Sequence, residues 1–294
     1  MSSLATSLVD HWRDWTAFGF FSATVVAAAA AESACGIGSE QCALDGRWAP
    51  GTEYADAARC YDPVDGDRVR YGDTVFTLTS LTRASSAVYL SSGFFFTPLA
   101  VVIGAATSYS MHSNDLASVY DADLVSNMII LACVFGDFTI EAYSFPESLR
   151  RLCPAVPGRR LLLWSFIILF GALAAIFAVS AESLDKSGKN VLLTVWSAVV
   201  AVGILYLGWN RPAGWKGRGD LTFAFVAFLG QVASIIADAA IGSECTQQTL
   251  FASAHTWDHL LGAVVLIFVG RALWKNAAQQ LETPREIDEY LLYG

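Results

Sequence analysis

Three of the four histidines in this chain, His112, His255 and His259, lie beside carboxylates at the mouths of apolar stretches. His255 and His259 are four residues apart in Ala254-His255-Thr256-Trp257-Asp258-His259. On a helix that spacing stacks both rings on one face about 6 Å apart, within reach of one metal ion. His112 closes the run Ser108-Tyr109-Ser110-Met111-His112 and would supply a third nitrogen. Three protein ligands with a fourth place left to water form the donor set of a catalytic zinc site, and zinc lowers the pKa of such a water to about 7. Asp123, eleven residues after His112, heads the next apolar stretch and is placed to hold that water as a general base. Ser108, one helical turn before His112, shares its face and can donate to the water or to a developing oxyanion. Asp115 and Asp258 are candidates to orient the ligand histidines.

The elements that must carry these groups are strongly apolar. The chain has 294 residues, of which 54% are hydrophobic and only 15% charged, too apolar for an ordinary soluble domain. Its net charge of −9 excludes a general nucleic-acid binder, which needs clustered Lys and Arg to neutralise phosphates. Crossing about 30 Å of hydrocarbon takes roughly 20 apolar residues. Seven stretches qualify, near 15–33, 85–110, 120–143, 160–181, 190–209, 221–242 and 255–274. A single segment satisfies its own backbone in lipid only as a helix. The expected fold is therefore an all-α membrane protein, a seven-transmembrane helix bundle spanning residues 1–294 as one domain. Ala27 to Ala31 also fit the small residues that follow the apolar run of a cleaved signal peptide.

Seven crossings place the two termini on opposite sides. With the long first connection set aside, ten Lys and Arg flank the side of the C-terminus, against Arg13, Lys186 and Lys189 on the other. The positive-inside rule then predicts a lumenal or extracellular N-terminus and a cytosolic C-terminus. By the same parity His112, Asp123, His255 and His259 share the lumenal leaflet.

Between the first two stretches, residues 34–84 form a polar insertion with Cys35, Cys42 and Cys60 and no C-x-x-C spacing; a solvated excursion is expected, with a lid or partner-binding role as the alternative. On the cytosolic side its thiols would stay reduced. The stretch 120–143 is the most polar, with Asp121, Asp123, Ser126, Asn127, Asp137 and Glu141. Asp137 and Glu141 are expected at the cytosolic interface as hydrated helix-end residues, and Asp238 on the sixth stretch is a further candidate for the lumenal cavity. Residues 275–294 form a charged cytosolic tail.

The pattern Ser108-x-x-x-His112, with Asp123 eleven residues on and His255-x-x-x-His259 opening the last helix, resembles the CREST superfamily of seven-helix membrane hydrolases. Alkaline ceramidases, adiponectin and progestin receptors, GPI-remodelling phospholipases and myomaker-like proteins belong to it. The resemblance implies zinc held by His112, His255 and His259, with Asp123 and Ser108 on the catalytic water. It also implies a membrane lipid as substrate, a ceramide-like amide first and a phospholipid ester second. Two other readings compete. One keeps metal and fold as structure in a non-catalytic receptor, scaffold or membrane-fusion protein. The other assigns the histidines to haem, which an absorption band near 400 nm would reveal.

Overall fold

A computed structural model describes residues 11–35, 78–90, 96–113, 117–142, 186–209, 215–241 and 254–282. The described residues are helical apart from His11 and the turn leading into Arg218, and contain no strand. The elements are α1 (Trp12–Cys35), a 3-10 helix (Leu81–Ser86) continuing into the short α2 (Ala87–Leu90), α3 (Phe96–Ser113), α4 (Ala117–Ala142), α5 (Lys186–Trp209), α6 (Arg218–Ile241) and α7 (Ala254–Glu282). The apolar stretch 160–181 lies outside the described residues. Among the described residues, two helices are long and apolar enough to cross a membrane, over Arg218–Ala237 and Ala254–Lys275, while Phe96–Met111 and Val191–Tyr206 are shorter apolar helices.

Side-chain contacts fix the helix directions. Gln231 of α6 meets Asp258 of α7, and Asp220 meets Arg271 and Lys275, so these two helices are antiparallel. Thr107 of α3 meets Ser126 of α4 at 2.8 Å, and Gly104 faces Ile130, again antiparallel. Helix α5 runs parallel to α4: Trp196 Nε1 donates to the Met128 carbonyl and Gly203 faces Phe135. Asp123, near the start of α4, lies within electrostatic reach of His255 at the start of α7, so these two helix starts, with the end of α3 that packs antiparallel to α4, belong to one end of the bundle.

Residues 78–90 depart most from the sequence expectation. The stretch 85–110 was expected as one helix and 34–84 as solvated; instead the described part of this region falls into three elements, and Thr79, Ser80, Thr82, Arg83, Ser85 and Ser86 are all buried. This polar leg is tolerated inside because its hydroxyls close on its own backbone. Thr82 Oγ1 donates to the Thr79 carbonyl, Ser85 Oγ to that of Thr82 and Ser86 Oγ to that of Arg83. Each bond removes a donor whose burial would otherwise cost about 1–3 kcal/mol. The leg packs against α7, α3 and α1. Gly270 makes the approach possible: a Cβ there would stand 2.9 Å from that of Tyr89.

Thirteen helical residues span about 20 Å, so the leg runs along part of the bundle's length. It begins at the site end, where Arg83 meets Asn127, and finishes at the far end, where Tyr89 bonds Asp14 and lies against Trp274. Asp14 pairs with Arg271 at 3.1 Å and Phe18 packs edge-on to Phe268, so α1 is antiparallel to α7. The start of α1 and the late turns of α7 lie at the same end, whereas seven crossings would separate them.

The core of the far half is Leu90, Val101, Val134, Phe138, Ile204 and Leu273 with their neighbours. Large apolar side chains also face outward, Val191, Val195, Val199 and Val202 on α5 and Phe223, Val226, Leu229 and Ile236 on α6. Buried positions meanwhile include Asp123, Ser126, Asp137 and His259. Asp137, expected as a hydrated helix-end residue, is only 1% exposed beside Phe138, because α4 continues past it into the packed half.

Candidate metal centre

Helix α7 begins at Ala254, so His255 and His259 occupy its first two turns and stack on one face. Their rings are 4.9 Å apart, inclined at 59°, and the two Nε2 atoms approach to 3.2 Å. Two imidazoles bound to one tetrahedral zinc at 2.0–2.1 Å would hold their nitrogens about 3.3 Å apart. The pair already has the separation of a chelate. His259 is 2% exposed and His255 half-buried.

Asp123 of α4 is 8% exposed and lies within electrostatic reach of His255, Asp258 and Arg83. Its Oδ2 accepts from Asn127 Nδ2 at 3.3 Å, one helical turn on. Its Oδ1 is buried with no hydrogen-bond partner, and so is Ser108 Oγ on α3, in a residue 0% exposed. A serine within a helix usually bonds the carbonyl of the preceding turn; Ser108 does not. Unbonded buried oxygens cost about 1–3 kcal/mol each. Both are residues that the sequence pattern assigns to a catalytic water.

Asp258 accepts from Gln231 Nε2 at 2.8 Å, which ties α6 to the first turn of α7. Gly262 admits that amide, since a Cβ there would come within 2.8 Å of Gln231 Nε2. Asp258 is therefore a partner of α6 as well as a neighbour of the histidine pair.

Of the remaining expected groups, His112 lies in the last turn of α3 and Asp238 near the end of α6, but their side chains, like that of Glu141, are outside the described residues, as is Asp115 altogether. Among the described residues no three His, Cys, Asp or Glu side chains converge on one point; two of the three expected nitrogen ligands do meet. Sequence reading missed Arg83. It donates to Asn127 Oδ1 at 2.5 Å and is 8% exposed. Only its polar surroundings in Thr79-Ser80-Leu81-Thr82-Arg83 marked it, and they pointed to solvent. No protein-family model, no curated protein and no solved structure matches the chain.

Proposed function

We propose that the protein is an intramembrane zinc-dependent lipid hydrolase of the CREST type, built as a multi-pass bundle with its site in the lumenal or extracellular leaflet. The observation that carries this reading is the His255–His259 pair, with Nε2 atoms 3.2 Å apart, within electrostatic reach of a buried Asp123. Polar side chains inside and bare valines, leucines and phenylalanines outside suit a bundle solvated by lipid.

The helix directions support a different sidedness for the first helix. Among the described residues, Arg13, Lys216, Arg218, Arg271 and Lys275 mark the end away from the site, against Lys186 and Lys189 at the start of α5 and the buried Arg83 at the site end. The positive-inside rule assigns the cationic end to the cytosol. On this reading the start of α1 would be cytosolic rather than lumenal.

His255, His259 and His112 would hold the metal. Zinc, when bound, supplies a water acidic enough to lose its proton near neutral pH. Asp123 Oδ1, buried without a protein partner, would accept a proton from the water that attacks the acyl carbonyl. Ser108 donates to the developing oxyanion. Asp123 then returns the proton to the leaving amine or alcohol, the C–N or C–O bond breaks, and a fatty acid is released. An acyl chain already in the bilayer would enter sideways, a ceramide-like amide being the first choice and a phospholipid ester the second.

The test couples metal analysis of the purified protein to fatty-acid release from ceramides and phospholipids. His259→Ala should lose the metal; Asp123→Asn should keep it and lose hydrolysis. Full occupancy after all three histidines become Ala would end the zinc assignment, and a metal-loaded protein inert on every lipid would favour the non-catalytic reading.

A further inference from the structure

Arg83 sits where a cation is expensive, inside an apolar bundle with 8% of its surface exposed. Its Nη1 donates to Asn127 Oδ1, and Asn127 Nδ2 donates to Asp123 Oδ2. The two bonds lock the amide in one orientation. Flipping it would set NH2 against the guanidinium and oxygen against the carboxylate, losing both bonds for two repulsions. Asp123 is thereby held by one oxygen while the other, Oδ1, stays without a protein partner.

Resting on the hydrolase reading above, we propose that Arg83 is a positioning residue that, through Asn127, aims Asp123 Oδ1 at the reacting water. The relay joins two elements of structure: the 3-10 helix presents Arg83, and α4 presents both Asn127 and Asp123 on one face, four residues apart. Arg is suited to the task because it keeps its charge when desolvated and offers several donors in a fixed plane. Its own back-bonded neighbours, Thr82 and Ser86, leave the guanidinium as the group of this leg that reaches across to α4. No step of the reaction requires Arg83 to touch the lipid.

A double-mutant cycle on the full chain in nanodiscs tests this. Arg83→Met and Asn127→Leu should each lower kcat at least tenfold on the best ceramide or phospholipid, with KM and zinc content unchanged. The double variant should be no slower than the worse single one, because both changes cut the same relay. Arg83→Lys, which keeps the charge without the fork, should recover part of the loss. A readout free of metal and turnover is the carboxylate infrared band of Asp123, isolated by subtracting the Asp123→Asn spectrum; it should move alike in Arg83→Met and Asn127→Leu. An unmoved band, multiplied losses in the double variant, or a KM rise with kcat intact would overturn the proposal. If the band moves as expected in a protein that hydrolyses nothing, the relay stands and the hydrolase reading falls.

Discussion

Replacing Ser108 with alanine should make the protein more stable and nearly inactive at once. The hydroxyl is wholly buried and bonds neither a side chain nor the backbone of its own helix. Its removal relieves a desolvation penalty of about 1–3 kcal/mol, while the methyl group left behind preserves the packing of α3 on α4. For a chain of this size about 1 kcal/mol moves Tm by roughly 2 °C or somewhat more, so the metal-free variant should melt roughly 2–6 °C higher than the metal-free wild type. Losing one donor to a developing oxyanion costs about 2.7–4 kcal/mol of transition-state stabilisation, on the order of 100- to 1,000-fold in kcat. The assay is paired: thermal unfolding in detergent with chelator present, then fatty-acid release after zinc is restored. A lower melting temperature would mean that the hydroxyl has a protein partner. A higher one with undiminished turnover would mean that Ser108 does not face the chemistry. Either result refutes the reasoning.

Two other predictions concern the bundle that carries the site. Asp220 is 4% exposed and faces Arg271 at 3.5 Å and Lys275 at 2.5 Å, an ion-pair cluster that also takes in Asp14 through Arg271. The Lys275 contact is an ion pair without hydrogen-bond alignment, so Oδ2 of Asp220 depends on charge alone. Lys275→Met, which strands part of that buried charge, should destabilise by about 3 kcal/mol, and adding Asp220→Asn should recover most of it; thermal unfolding of both variants checks this. As for topology, tags fused at either terminus should be protected from protease in sealed right-side-out vesicles, and a site inserted after Ala55 should be cut. The reverse pattern would refute the sidedness assigned to the site.

How much was legible before the tertiary structure differs from element to element. The helices 96–113, 117–142, 186–209, 218–241 and 254–282 lie close to stretches readable from hydropathy, because a backbone in lipid has few other ways to satisfy itself. The leg 78–90 was not. Its threonines, serines and Arg83 carry the composition of a solvated loop, and only their bonds to backbone carbonyls and to Asn127 make it an interior element. The direction of α1 was not legible either, since only the Asp14–Arg271 and Phe18–Phe268 contacts set it antiparallel to α7.

The sequence by itself determined an all-helical, apolar chain and the spacing that stacks His255 over His259, because both follow from local periodicity: four residues make about one turn wherever the helix lies. Only the tertiary structure decided that Asp123 of one helix comes within reach of His255 of another, that Ser108 keeps its hydroxyl unbonded, and that Arg83 turns inward to hold Asn127. These relations join residues far apart in the chain, and they depend on which helix faces which, a choice made by packing and by the matching of buried donors to buried acceptors rather than by any spacing along the polypeptide.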